Sequence, residues 1–365
     1  MALGGGVWVT QNKVLPGTYI NFVNASKATS AIGDRGVVAF PYALGQSAGS
    51  IIEITKAEFA KDSAAKLGEG VTFDSDVAKP LREIFAHANK VIIYDLGVGD
   101  TAKTPTDAIK ALEPYEFNVL AVYTSVTSDI TTYTNVVKTW RESGKKCQAV
   151  IYGGDIVNGE SVMSPDHEGI INVVSTVSDS GAEGHELVAW VAGAEAGCAI
   201  NESCTNMIYD GEYTVTCNHT QAQLENCIKK PSEGTGGGQF VFHLVYGDVR
   251  VLEDINSLTT LTEDKGDDFR YNQTIRVIDQ IANDIAKLFN VKYLGKIPNN
   301  ASGRVSLWGD IVAHHRQLET IQAIENFDAN LVTVEQGNTK KAVVVNDAVT
   351  VVNAMSQLYM TIVIQ

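Results

Sequence analysis

The stretch with the clearest chemical potential is residues 97–104, with the sequence GVGDTAKT. It follows an apolar segment and precedes a helical pattern, where nucleotide-binding proteins place a phosphate-binding loop, and it contains Lys103 and Thr104. Ala102 stands where the pattern G-x-x-x-x-G-K-S/T requires glycine, and its β-carbon would hinder the backbone path that turns N–H groups towards phosphates. We therefore predict that this loop only connects a strand to a helix.

The same loop supports one alternative function. Asp155, at the end of AVIYGGD, follows a second apolar strand and could imitate the aspartate that holds magnesium. A P-loop-like or magnesium-dependent phosphohydrolase that uses Lys103, Thr104 and Asp155 is therefore the alternative. For a serine hydrolase the seven histidines show no partner pattern beyond His314-His315. His314 and His315 are adjacent, so on a helix their side chains point about 100° apart and form a poor acid–base or metal pair. We predict no catalytic residue and no cofactor.

The cysteines indicate thiols rather than a disulfide framework or a metal site. There are five, an odd number, and no C-x2-C pair, although Cys217-Asn218-His219 makes zinc conceivable. Asp264, Asp267 and Asp268 precede a helical pattern, where acidic side chains oppose the helix dipole without a metal. We predict no bound metal.

Length and charge limit the class of protein. A chain of 365 residues with 44% hydrophobic residues can form two or three domains. No segment approaches the roughly 20 apolar residues of a membrane span, and no secretion signal is recognisable, so we expect synthesis in the cytoplasm. The net charge of −15 argues against nucleic-acid binding. Residues 270–365 contain nine Lys/Arg and eight Asp/Glu, a net charge of +1, so this part is best suited to face an acidic partner.

The first two thirds of the chain alternate between strand and helix patterns. Strands are predicted at residues 37–40, 51–54, 91–96, 117–123, 148–152, 170–174 and 240–246. Helices are predicted at residues 105–112, 129–142, 185–200 and 221–229, and capping boxes at Thr55–Glu58 and Thr220–Gln223 mark two helix starts. Apolar strands with helical spacers predict a mostly parallel sheet covered on both faces.

The last third differs. Residues 239–252 predict a hairpin with a type II′ turn at Gly247-Asp248. Helices follow at residues 267–289 and 304–326, the first with one buried face of Ile278, Ile281, Ile285 and Leu288. Strands are predicted at residues 331–334, 342–345 and 348–352, the last two as a hairpin, and a final apolar strand at 358–364.

That final strand, LYMTIVI, would be an exposed and aggregation-prone edge in a monomer. An assembly can use such a segment by β-augmentation, in which it adds to a sheet of a neighbouring subunit. The alternative is a strand buried in its own domain. A scaffold or adhesin that forms only small closed oligomers is a further possibility.

Three segments carry a family resemblance: residues 15–22 (LPGTYINF), 256–285 and 351–365 (VVNAMSQLYMTIVIQ). They resemble the sheath subunits of contractile phage tails and R-type bacteriocins. The resemblance implies a structural protein and not an enzyme, which polymerises as hexameric rings around a tail tube and contracts to drive the tube through a bacterial envelope. The implied partners are further copies of the chain, a tail tube protein, and baseplate and tail terminator proteins, with no nucleic acid and no membrane insertion. The implied location is a virion or bacteriocin tail sheath.

The resemblance also assigns roles to residues. The family's arm strands pair with neighbouring subunits, and the matching positions here are Gly17, Thr18, Tyr19, Ile20, Asn21 and Phe22 near the start, and Leu358, Tyr359, Met360, Thr361, Ile362, Val363 and Ile364 near the end. Arg304, His315 and Arg316, on a predicted helix of the less acidic part, are the predicted tube-facing residues.

The expected fold class is α/β, and α+β overall. It combines a doubly wound, subtilisin-like and non-catalytic central domain with an α+β C-terminal domain and extended N- and C-terminal arms. The expected boundaries are an N-terminal arm at 1–23, a small α/β segment at 24–90, the central sheath domain at 91–250, the C-terminal sheath domain at 251–352 and the C-terminal arm strand at 353–365.

Overall fold

A computed structural model describes residues 32–154, 163, 165–179, 184–234 and 236–364. At the centre of these residues lies a six-stranded sheet with the order β2-β3-β1-β4-β5-β6. Its strands are β1 (Val37–Tyr42), β2 (Ile51–Thr55), β3 (Lys90–Asp95), β4 (Val119–Ala121), β5 (Gln148–Tyr152) and β6 (Ile170–Val173). Only β2 runs antiparallel to its neighbour, and the other pairs are parallel. The predicted mostly parallel sheet is confirmed.

In the described part of the chain, six helices surround the sheet, and three of them begin at a capping box. The six are α1 (Lys56–Leu67), α2 (Lys79–Phe85), α3 (Pro105–Leu112), α4 (Thr127–Glu142), α5 (Leu187–Gly197) and α6 (Gln221–Ile228). The predicted capping boxes of α1 and α6 are both formed. A third box, between Thr104 and Asp107, starts α3. It went unpredicted because the usual residue at the third helical position is Glu or Gln.

Helices cover both faces of the sheet. Alternate side chains of each strand point to opposite faces, so Val91 and Ile93 join one core and Ile92 the other. The first core contains α2 and α5, with Trp190 fully buried, and the second contains α3 and α4. Helix α5 approaches α2 closely, since a β-carbon on Gly193 would lie 2.3 Å from the carbonyl oxygen of Ile84. The expected coverage of both faces is confirmed.

Two small antiparallel pairs extend from this body. Strand β7 (Thr176–Val177) pairs with β8 (Val215–Thr216), and β9 (Phe242–Val245) pairs with β10 (Asp248–Val251). The predicted hairpin is therefore present, but its turn differs. Asp248 pairs with Val245, so the loop is Tyr246-Gly247, and both residues have positive φ, 51° and 97°. That is the signature of a type I′ turn and corrects the predicted type II′.

The last third is built on α7 (Asn272–Leu288) and α8 (Ala301–Thr320), joined through a π-helical turn at Phe289–Tyr293. The predicted buried apolar face of α7 is only partly right. Leu288 is buried, but Ile278, Ile281 and Ile285 are half-buried. The more deeply buried face is polar, and it consists of Asn272, Gln273, Arg276, Asp279 and Gln280.

Two further antiparallel pairs complete the described chain. Strand β11 (Ile324–Glu325) pairs with β14 (Thr350–Val351), and β12 (Thr333–Gln336) pairs with β13 (Val343–Asn346). The predicted hairpin between the strands at 342–345 and 348–352 is wrong. Each of these strands pairs instead with an earlier one, because β13 follows β12 across a short loop while β14 crosses to the end of α8.

The predicted domain boundaries are not marked by separate sheets. Strands β1 and β2 precede residue 91, yet β1 lies between β3 and β4 in the central sheet. The boundaries therefore stay a prediction. Among the residues that the structure describes, no helix combines the length and the apolar character needed to cross a membrane.

Candidate assembly site

The C-terminal segment has the most exposed apolar side chains of the described residues. Residues 352–364 form no regular secondary structure. Leu358, Tyr359 and Ile364 are 85%, 88% and 93% exposed. The strand predicted at 358–364 is thus not formed within the chain, and burial in its own domain is excluded. Pairing with a neighbour stays a prediction, and the matching segment Gly17–Phe22 lies outside the described residues.

The β12–β13 hairpin has two edges that no other described strand covers. Among the described residues, neither strand pairs with a third one. The N–H of Gly337 donates to the carbonyl of Ala342, so hydrogen-bonded pairs continue at every second position of this antiparallel ladder. It follows that Val344 bonds to β12, whereas Val343 and Val345 turn their N–H and carbonyl groups to the outer edge of β13.

The body holds α7 through charges buried in a low-dielectric interior. Arg276 lies between Glu195 of α5, at 2.6 Å, and Asp254, at 3.3 Å, and all three are almost inaccessible to solvent. Burial and the neighbouring Asp254 raise the pKa of Glu195 well above its usual range. Burial acts to raise the pKa of Asp254 too, but Arg276 and several hydrogen bonds lower it overall. A protonated Glu195 with Arg276 and an ionised Asp254 makes the cluster electrically neutral.

Glu195 and Asp254, together with Cys204, also have the spacing of a metal site, since their side-chain ligand atoms lie within 4.8 Å of one another. The Arg276 guanidinium bonds to both carboxylates and supplies their positive charge. The cluster is therefore a buried ion-pair centre. All five cysteines are free thiols. Burial raises the pKa of Cys147 and of Cys227 to about 12, which keeps both thiols protonated and unreactive.

The loop that resembles a phosphate-binding loop is organised around Asp95. Its carboxylate accepts hydrogen bonds from the backbone N–H groups of Gly45, Gln46, Ser47 and Gly97, at 2.7–3.1 Å. Burial acts to raise the pKa of Asp95, but these donors lower it overall.

The other members of the alternative site are engaged or undescribed. Thr104 Oγ1 accepts from the N–H of Asp107 and donates to its carboxylate, which closes the start of α3. Lys103 is exposed, and Asp155 lies outside the described residues. The loop therefore connects β3 to α3, as predicted, and its last residue caps that helix.

The predicted tube-facing residues do not share one environment. Arg316 is exposed and Arg304 half-buried, but His315 is fully buried, so its prediction as a surface residue is wrong. His315 Nε2 lies 2.6 Å from Asp347 Oδ2, and its Nδ1 lies 3.2 Å from Nδ1 of His314. His314 Nε2 lies 3.0 Å from Asp284 Oδ2. The two rings contact each other although adjacent helical residues point about 100° apart at the backbone, and their expected unsuitability as an acid–base or metal pair stays a prediction.

Comparison with known proteins agrees with this architecture. The family description "Phage tail sheath protein central domain" matches residues 99–257, and "Phage tail sheath C-terminal domain" matches residues 264–365. The uncharacterised protein YqbK of Bacillus subtilis is 30% identical over 285 residues. The tail sheath protein of Clostridium phage phiCD119 is 27% identical over 236 residues. These alignments cover 72% and 63% of this chain, and only 57% and 59% of the two relatives.

Solved structures share the fold over nearly the whole chain. The sheath tail protein of Desulfitobacterium hafniense matches with a TM-score of 0.74 and 25% identity, covering 94% of this chain and 99% of that one. The helical sheath of the anti-feeding prophage in its contracted state matches with a TM-score of 0.69 and 14% identity, covering 96% and 99%. The mixed α/β fold is thus that of a structural tail protein and not of an enzyme. The chain belongs to the phage tail sheath family.

Proposed function

We propose that the chain is a subunit of a contractile tail sheath, which polymerises as hexameric rings around a tail tube and contracts to drive the tube through a bacterial envelope. The observation that carries this proposal is the apolar segment 358–364, which is almost wholly exposed in the single chain. Such a segment is costly for a monomer and useful to a polymer.

The segment suits strand addition in energy as well as in shape. Its six large apolar side chains alternate between the two faces of an added strand. Burial of the face with Leu358, Met360, Ile362 and Ile364, at roughly 2 kcal/mol for each side chain, would contribute on the order of 8 kcal/mol. Each backbone hydrogen bond to the acceptor would add about 1 kcal/mol.

We propose the outer edge of β13 as the acceptor for this segment. Val343 and Val345 offer unpaired backbone groups there, and Val344 is itself 46% exposed. Two-stranded hairpins are marginally stable alone, so an added strand from another copy would also stabilise the hairpin. Residues 17–22 are proposed to form the second arm strand.

The remaining parts receive matching roles. Residues 91–250, which contain strands β4 to β6 and most of β3, are proposed to be the subtilisin-like, non-catalytic domain, and residues 251–352 the C-terminal sheath domain. The proposed partners are further copies of the chain, the tail tube protein, and baseplate and terminator proteins. Arg304 and Arg316 are the proposed tube-facing residues. The proposed location is the sheath of a virion or bacteriocin tail that assembles in the bacterial cytoplasm.

Contraction is proposed to be a two-state movement of rigid bodies. The arm strands stay paired while the contact area between subunit bodies increases. A few kcal/mol gained by each subunit, multiplied over a long polymer, would drive the tube without a nucleotide.

The test is negative-stain electron microscopy of the purified chain with its tube protein. We expect the intact chain to form tubes or stacked rings and a variant that lacks residues 358–365 to stay monomeric. Met355→Ala is the matched control, because it removes an equally exposed apolar side chain outside the segment. Thermal unfolding should show that all three chains fold. An intact chain that stays monomeric, or a truncated chain that still forms tubes, would overturn the proposal.

A further inference from the structure

The chain that leads into the C-terminal segment is held by side chains of α7. Gln273 donates from Nε2 to the carbonyl of Val352, at 3.1 Å, and accepts at Oε1 from the N–H of Ala354, at 2.9 Å. Next to it, the Thr274 hydroxyl donates to Asn353 Oδ1, at 3.1 Å. Gln273 and Thr274 are both buried. These contacts fix three consecutive residues just before the exposed segment.

The first described residues of the chain are held by the same helix. Both carboxylate oxygens of Asp284 accept from the N–H of Gly33, at 3.1 and 3.2 Å. Gln280 donates to the carbonyl of Gly33 and accepts from the guanidinium of Arg35, both at 3.3 Å. A β-carbon at position 33 would lie 2.6 Å from Asp284 Oδ1, so it would displace this carboxylate from the N–H of Gly33.

Helix α7 is itself fixed to the body between these two attachment points. Besides the Arg276 cluster, Asp279 forms a bidentate ion pair with the buried Arg141 of α4, at 2.5 and 2.8 Å. Gln273 and Asp284 are eleven positions apart, which is about 16 Å along a helix. The helix therefore sets a fixed distance between the two attachment points.

A second connection joins the same two points. Asp284 contacts His314, His314 contacts His315, and His315 contacts Asp347, three residues before β14. Strand β14 then leads directly to Val352. Nδ1 of His314 faces Nδ1 of His315. A hydrogen bond between these two atoms requires a proton on one of them and a free lone pair on the other.

We propose that α7 is the strut that sets the directions in which both terminal segments leave the subunit, with Gln273 and Asp284 as its positioning residues. This inference rests on the proposed function, because arm direction matters only if the arms link subunits. Arms that leave at fixed angles from one helix give every subunit the same relation to its neighbours. A loosened attachment would still allow strand addition but would lose the regular helical lattice.

The experiment uses the full chain in two forms. In the monomer, hydrogen exchange reads the N–H groups of Ala354 and Gly33 directly. Gln273→Ala should make the amide of Ala354 exchange about tenfold faster, and Asp284→Ala should do the same for Gly33. Gln273→Glu keeps the acceptor for Ala354 and should restore most of its protection. Gln46→Ala, an exposed glutamine in the loop after β1, is the control.

In the assembled form, electron microscopy with image analysis reads the lattice. Gln273→Ala and Asp284→Ala should form shorter tubes with poor helical order, while Gln46→Ala should match the wild type. If the variants show faster exchange but form normal lattices, the strut inference is overturned while the proposed function stands. Unchanged exchange at Ala354 and Gly33 would also overturn it. A wild-type chain that forms no tubes would contradict the proposed function and, with it, this inference.

Discussion

Arg276 of α7 and Glu195 of α5 lie 2.6 Å apart, nitrogen to oxygen, in the interior of the molecule, with both side chains almost inaccessible to solvent. The contact joins α7 to the helix at the centre of one core of the sheet. Asp254 supplies the negative charge opposite Arg276, because burial and the neighbouring Asp254 raise the pKa of Glu195 and favour its protonated form. At this point α7 contacts the rest of the chain through buried charged and polar side chains, whereas apolar side chains are the usual arrangement in a protein interior.

Loss of Arg276 should be strongly destabilising. Arg276→Met leaves the Asp254 carboxylate buried without its positive partner, so we expect a loss of about 3–5 kcal/mol in the free energy of unfolding. Urea denaturation checks this. Lys287→Met is the control, because Lys287 is exposed on the same helix and should change stability by less than about 0.5 kcal/mol. Equal effects of the two substitutions would contradict the role assigned to the buried pair.

The Asp95 carboxylate should make stability depend on acid pH. Because its pKa is lowered in the folded chain, its contribution is complete above the unfolded pKa of about 4 and is lost as the pH falls through the folded value. Asp95→Asn should lower the free energy of unfolding by about 2–3 kcal/mol at neutral pH. The reason is that an amide nitrogen replaces a carboxylate oxygen that accepts hydrogen bonds from two N–H groups. The difference from wild type should shrink below pH 4 in thermal or urea unfolding. Asp100→Asn, at an exposed position, is the control. A pH-independent difference would exclude this carboxylate as the cause.

Proline substitutions in β13 should distinguish the role of its outer edge in assembly from the role of its inner edge in the stability of the hairpin. Val345→Pro removes an N–H from the outer edge only, so the monomer should keep its stability within about 1 kcal/mol while tube formation fails. Val344→Pro removes a bond to β12 and should destabilise the hairpin itself. Circular dichroism with melting reads the fold, and electron microscopy reads assembly. Normal tubes from Val345→Pro would place the acceptor elsewhere.

Neighbouring residues of α8 should behave in opposite ways. His315→Ala removes a buried ring and the contacts that it makes with Asp347 and with Nδ1 of His314, so we expect a loss of about 2–3 kcal/mol in the free energy of unfolding. Arg316→Ala should leave stability unchanged but reduce co-sedimentation with the tube protein. Gln322→Ala, also exposed, is the control for co-sedimentation. Undiminished binding by Arg316→Ala would remove that residue from the proposed tube-facing surface.

Local signals in the sequence predicted much of the fold. The capping residues Thr55 and Thr220 fixed two helix starts, and continuous apolar strands indicated a sheet covered on both sides. What failed depended on contacts between distant residues. The pairing of β14 with β11 has no local signal, because each strand is only two residues long.

The site was harder to predict than the fold. Arg276, Asp279 and Gln280 repeat at helical spacing, but a polar stripe on a helix ordinarily faces water. Its burial depends on Glu195, Asp254 and Arg141, which lie on distant segments. The exposure of residues 358–364 was the part of the site that the sequence could indicate, because a long apolar strand is an exposed edge wherever no other element covers it.

The β12–β13 hairpin and the segment 358–364 lie at different places on one chain. If the one receives the other from a second copy, the contact is heterologous, and each bound subunit presents a new vacancy to the next. Such a contact sets no limit on the number of subunits in the polymer. The length of the polymer would therefore have to be set by a component other than the subunit itself.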